Sequence, residues 1–143
     1  MSPSFRHRHR VTYSECTIGN NVYYARYLDI LEAARGEFFR SLGATFTKWQ
    51  ESEVIFQVVE ANVKYRAAAR YDDELEVEVW VSELGRTRIG FGYSITRAGG
   101  ERLFEGTTTH VTTDLGSQPR RVPEELATML KPHLREPPAV GAG

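Results

Sequence analysis

TYSECTIGNNVYYARYLDILEAARGEFFRSLG, residues 12–43, is the stretch that decides the fold. It reads in three parts: the end of a strand, a polar turn over residues 15–21, and a helix over residues 22–42. Asn20 or Asn21 is the expected N-cap, because a short amide side chain accepts from the first unpaired helix donors. Gly43 supplies the residue free to turn left-handed where the helix ends.

On a wheel of about 100° per residue, Arg26, Asp29, Ala33, Gly36, Glu37 and Arg40 share one arc, the expected solvent face. Tyr23, Tyr24, Tyr27, Leu28, Leu31, Ala34, Phe38, Phe39 and Leu42 fill a much wider apolar arc. So wide an arc predicts a helix covered on most sides. Two charges fall inside it. Arg35 projects between Tyr24 and Leu28, and Glu32 stands three residues before it. A lone buried charge is costly, so the two are expected to pair with each other or to meet a ligand.

Upstream, residues 5–13 alternate, with Phe5, His7, His9, Val11 and Tyr13 on one face and Arg6, Arg8, Arg10 and Thr12 on the other. That is a half-buried strand. Its arginines are either a solvated face or a basic strip for phosphates or an acidic carrier protein. Downstream lie a helical turn at 47–51 and strand-like runs over 54–67, 74–84, 88–97 and 102–113. Leu75, Val77, Val79 and Val81 point inward, opposite Glu74, Glu76, Glu78 and Trp80. Glycine-bearing turns at Gly85 and at Gly99-Gly100 mark antiparallel hairpins. Gly90, Gly92 and Gly106 within strands predict bulges or close backbone approach.

A short helix is expected over 123–130, and REPPAVGAG (135–143) has the composition of a disordered tail. One domain, residues 1–134, results: an α+β fold in which a curved, antiparallel five-stranded sheet wraps a long central helix. The outward glutamates of the third strand and the arginines of the first are candidate surfaces for self-association.

A net charge of −1 argues against a nucleic-acid or membrane partner. Cys16 is the only cysteine, so no internal disulfide forms and a cytoplasmic location is expected. No apolar run approaches the roughly 20 residues that span a bilayer. P-loop, Rossmann, G-x-S-x-G, HExxH and CxxC patterns are missing, and no cofactor or metal is expected. Cys16 has no histidine nearby in the sequence to activate it.

The chemistry left is that of the helix start. Its first amides, at residues 22–24, carry the positive end of the helix dipole and lack intrahelical acceptors. Facing an apolar pocket, such donors stabilise an oxyanion on an ester or thioester carbonyl by about 3–4 kcal/mol each. Asn21, Thr17 and Arg35 add side-chain donors.

The same segment resembles the opening of the hotdog-fold acyl thioesterases of the 4-hydroxybenzoyl-CoA thioesterase type. Val22-Tyr23, Tyr27-Leu28 and Glu32-x-x-Arg35 with Glu37 carry the resemblance, which extends over roughly residues 8–130. It implies the hotdog fold, a homodimer or homotetramer, and hydrolysis of acyl-CoA or acyl-carrier-protein thioesters. The family's loop aspartate, its base or nucleophile, falls on Thr17, and its loop glycine falls on Asn20. A threonine hydroxyl has no basicity near neutral pH. A closer likeness is to the branch associated with enediyne polyketide synthesis, which carries an Asn in this loop and a run like Asn21-Val22-Tyr23-Tyr24.

That likeness implies hydrolysis without an acidic catalyst. Thr17, Asn21 and Arg35 with the Tyr24 amide would hold the carbonyl oxygen, Tyr27 would place the acyl group, and Glu15 or Glu32 would be the carboxylate if one is used. The alternative is a thioester-binding or assembly protein without hydrolysis. A hotdog dehydratase would need a His beside a carboxylate, and residues 22–42 contain none. His110, in the last strand, reads as a structural residue.

Overall fold

The structure, a computed structural model, describes residues 4–138. Its elements are β1 (Phe5–Arg10), α1 (Arg26–Ser41), α2 (Phe46–Glu51), β2 (Ile55–Tyr65), β3 (Glu74–Leu84), β4 (Arg88–Arg97), β5 (Arg102–Thr113) and α3 (Glu124–Leu130). One antiparallel sheet has the order β1-β3-β4-β5-β2, so β1 and β2 are its edges. This is the expected α+β arrangement of one long helix and five strands.

α1 packs against β1 and β3. Its Leu31, Ala34 and Phe38 are completely buried. The Phe38 ring meets Phe5 at 5.4 Å and Phe91 at 6.3 Å, and Phe39 meets Phe46 and Phe56 at 4.7 and 5.5 Å. Removing such a buried ring costs about 3–5 kcal/mol. The buried stripe is narrower than the wheel predicts: Tyr23, Tyr24 and Leu28 are exposed. Of these three, Tyr24 lies toward the end of β2, where its ring meets Tyr65 edge-on at 6.4 Å.

The outward charges of β1 and β3 are spent on each other. In register, Arg6 lies opposite Glu78, Arg8 opposite Glu76 and Arg10 opposite Glu74. Arg6 reaches Glu76 at 2.6 Å, and Arg8 reaches Glu74 at 3.3 Å. The strip is therefore largely neutralised. β3 is an interior strand, so its glutamates border no free edge.

The strand glycines mark close approaches. The Trp80 indole lies where a Cβ on Gly92 would stand, and a Cβ on Gly106 would come within 2.7 Å of Val63 Cγ1. A bulge between Val81 and Glu83 adjoins Gly90. The tail expected to be disordered from residue 135 is docked at its start. Trp80 Nε1 donates to the Glu136 carbonyl at 2.9 Å, Arg135 lies 4.0 Å over the Trp80 ring, and its guanidinium meets Glu78 at 3.0 Å. Aromatic and ionic contacts outweigh what the composition of the segment suggests. Residues 139–143 of that tail lie outside the described residues.

Candidate active site

The polar turn is built differently from its sequence reading. Val22 is buried, bridges to Cys16 and donates its amide to the Ala69 carbonyl at 2.9 Å. The Tyr23 amide donates to the Glu15 carbonyl at 2.9 Å. Both amides are thus consumed, and α1 begins only at Arg26, with Ala25 at the N-cap and no side-chain cap. Asn20 and Asn21 do not cap the helix. Asn20 Oδ1 accepts from the Tyr71 amide at 3.0 Å, and Asn21 Oδ1 accepts from Arg70 Nη1 at 3.1 Å. Docking Val22 into the core pulls four residues out of the helix and turns both asparagines toward the 70–71 loop.

The amides of Tyr24 and Ala25 have no acceptor among the described residues. They are the donors left at the helix start. Tyr24, Leu28 and Tyr65, with exposures of 62%, 41% and 42%, form an apolar patch beside them, and Tyr65 donates its hydroxyl to the Tyr24 carbonyl at 2.9 Å. Thr17 is exposed, and both its amide (2.8 Å) and its hydroxyl (3.2 Å) donate to the Asn21 carbonyl. The Glu15 carboxylate is already engaged. It takes His9 Nε2 at 2.9 Å and the Thr12 amide at 2.7 Å. Burial, with Glu15 and Asp73 nearby, pushes the Cys16 thiol above its ordinary pKa, so it stays protonated.

Tyr27 is packed into the core in this chain. Its ring is buried and stacked on Phe104 at 5.2 Å, and its hydroxyl accepts from the Ala69 amide at 3.0 Å.

Glu32 and Arg35 do not pair. Glu32 is exposed and has no partner among the described residues. Arg35 is half-buried and donates from Nη1 to the Tyr93 hydroxyl at 3.0 Å. The chain continues inward: Tyr93 Oη to Thr108 Oγ1 at 2.7 Å, then Thr108 Oγ1 to His110 Nε2 at 2.9 Å. Burial is the main cause lowering the His110 pKa to about 3. The Arg35 charge adds to it and the Phe56 backbone opposes it, so the imidazole is neutral. A cavity of about 290 Å³ opens here, lined by Glu32, Arg35, Phe46, Gln50, Ile55, Phe56 and His110.

The six expected residues therefore split into two clusters. Thr17, Asn21, Tyr24 and Tyr27 stand at the start of α1, and Glu32 and Arg35 stand at the cavity. Phe104, which stacks on Tyr27, and Thr108, which closes the Arg35 chain, are four residues apart on β5, about 13 Å at the usual strand rise. Within one chain the two clusters thus meet different stretches of β5.

The Thioesterase-like superfamily matches residues 11–130. This chain belongs to that family. Among its relatives is the acyl-CoA thioesterase YbgC of Haemophilus influenzae, 36% identical over 119 residues, which cover 82% of this chain and 87% of the relative. The acyl-CoA thioester hydrolase YbgC of Escherichia coli O6:H1 is 31% identical over 128 residues, 89% of this chain and 96% of the relative. A hypothetical protein, TT1821 of Thermus thermophilus, superposes with a TM-score of 0.86 at 29% identity, over 94% of this chain and 100% of that one.

In this thioesterase-family chain, Tyr93, Thr108, Phe56 and Gln50 were not singled out from the sequence. One signal was present. Thr108, His110 and Thr112 alternate along β5 as buried residues, a polar inward face that an apolar core does not need.

Proposed function

We propose that this protein hydrolyses acyl thioesters, coenzyme A esters among them, and that it does so as a homodimer joined along β2. The observation that carries the reading is the start of α1: uncapped, with the Tyr24 and Ala25 amides unpaired beside an exposed aromatic patch. Water adds to the thioester carbonyl carbon, the developing oxyanion lies against these amides, and the C–S bond then breaks. The acid and the protonated thiol leave.

β2 is a free edge, and Val58 and Val59 on it are exposed. Two copies pairing antiparallel there set the Ile55 end of one strand beside the partner's Tyr65 end. That arrangement brings the Glu32 and Arg35 cavity of one subunit toward the helix start of the other, which one chain alone does not achieve. Glu32 is then the carboxylate free to assist water, since Thr17 replaces the family's aspartate and Glu15 is held by His9. A carrier-protein thioester offers the same carbonyl, and cytoplasmic residence belongs to the same proposal.

Acyl-CoA and acyl-pantetheine esters of increasing length, assayed by release of free thiol, test it. Turnover above buffer hydrolysis for at least one ester is expected, and a rate equal to buffer throughout refutes it. A second reading, thioester binding without hydrolysis, draws on the lack of a free carboxylate in the 12–21 loop. If the wild type binds an acyl-CoA without cleaving it and Thr17→Asp creates turnover, that reading stands instead.

A further inference from the structure

The two free donors at the start of α1 are held in place by different means. In a trans peptide the carbonyl points the opposite way to the N–H. The Tyr24 N–H shares its peptide with the Tyr23 carbonyl, which accepts from the Arg26 amide at 2.8 Å inside the same turn. The Ala25 N–H shares its peptide with the Tyr24 carbonyl, and among the described residues no backbone amide reaches that oxygen. Its donor is the Tyr65 hydroxyl at 2.9 Å, 41 residues along the chain at the end of β2. Ala25, at the N-cap, has no polar side chain to fix the turn itself. The orientation of this second donor is therefore set from across the fold.

Tyr65 is suited to that task. Its ring stands edge-on to Tyr27 and to Phe104, at 5.2 Å from each, and Tyr27 is itself stacked on Phe104. A further edge contact, at 6.4 Å, joins it to the Tyr24 ring. Such packing fixes the direction of the hydroxyl before any ligand arrives. Burial, with Tyr27 and Tyr24 nearby, pushes the Tyr65 pKa above its ordinary value, so the phenol keeps its proton and donates. A carbonyl that accepts a bond makes the N–H of the same peptide a stronger donor, by about 10–30% per bond. We propose that Tyr65 is a positioning residue for thioester hydrolysis: it holds and polarises the Tyr24–Ala25 peptide so that the Ala25 N–H meets the developing oxyanion. The inference rests on the reading that places the oxyanion at the start of α1. A lost oxyanion donor costs about 10²–10³ in kcat. Taking about 10–30% of that on a logarithmic scale gives a roughly two- to eightfold loss for a donor that stays but weakens.

Tyr65→Phe keeps the ring and deletes only this bond. On the best-cleaved acyl-CoA, kcat is expected to fall about fivefold, with KM within about twofold of wild type. A 3-fluorotyrosine placed at this one position, a stronger donor still protonated near neutral pH, should bring kcat to or above the wild-type value. A merely architectural hydroxyl would not order the three proteins by donor strength. An unchanged kcat in Tyr65→Phe overturns the proposal, as does a rise in KM alone or a fluorotyrosine enzyme as slow as the phenylalanine one. Nitrogen-15 correlation spectra give a second readout that needs no turnover. The Ala25 amide proton should move downfield when the wild type binds an uncleavable CoA thioether whose ketone stands in for the thioester carbonyl, and should move less in Tyr65→Phe. Equal shifts, or none in the wild type, overturn the proposal. If no thioester is cleaved but the two shifts differ as expected, the hydrolase reading fails and the role of Tyr65 survives.

Discussion

Removing one oxygen from Tyr27 separates a structural role from a substrate-placing one. Tyr27→Phe keeps the ring stacked on Phe104 and deletes only the acceptor of the Ala69 amide. Ala69 is fully buried, so its orphaned N–H has no water to turn to. A buried donor left unsatisfied costs about 1–3 kcal/mol. With an unfolding entropy of about 2.1 cal/mol/K per residue, a chain of this length loses roughly 3 °C in Tm per kcal/mol, so a fall of about 3–9 °C is expected. Thermal unfolding by circular dichroism reads it, at matched protein concentration because any self-association makes Tm depend on concentration. At 25 °C, kcat/KM should stay within about threefold of wild type for every ester, since the hydroxyl touches loop backbone and not substrate. An unchanged Tm with a tenfold loss of kcat/KM would refute the reasoning and return Tyr27 to the acyl group.

Gly92→Ala places a Cβ inside the Trp80 indole, and a loss of about 1–3 kcal/mol in urea unfolding is expected, with a red-shifted tryptophan emission as the ring is displaced. Because His110 is held neutral in the folded protein, with its pKa lowered from 6.5 to about 3, its contribution to stability is complete above about pH 6.5 and is lost as pH falls toward 3. His110→Phe should therefore show a shallower decline than wild type across that window in pH-dependent unfolding. Arg35→Met removes the charge that helps depress the ring, so the His110 titration followed by NMR should move upward; a downward or absent shift would contradict the linked chain.

The sequence was informative where the pattern is local. Alternation in β3, the Gly99-Gly100 hairpin with both residues at positive φ, and the amphipathic run of α1 all belong to single elements. The start of α1 was not legible, because what ends the helix early is Val22 reaching Ala69, a contact across a long stretch of chain. Of the two outcomes expected for Glu32 and Arg35, a mutual pair or a shared site, the mutual pair is not formed, for a similar reason. Their i, i+3 spacing is a local statement, while Tyr93 competes for Arg35 from 58 residues away. Tyr27 was found as a residue of consequence, but its partner decides its role.

The two edges of the sheet have unlike prospects. A second copy laid antiparallel along β1 would set Arg8 against Arg8 and Arg6 against Arg10 on a face where each guanidinium already has its glutamate, so extension there is opposed. β2 presents the exposed Val58 and Val59 and no such comb of cations. If the proposed dimer forms along β2, it would take a single neighbour there and then stop. The arginines of β1 would act as a chain terminator for sheet growth, guarding a crowded cell against fibres.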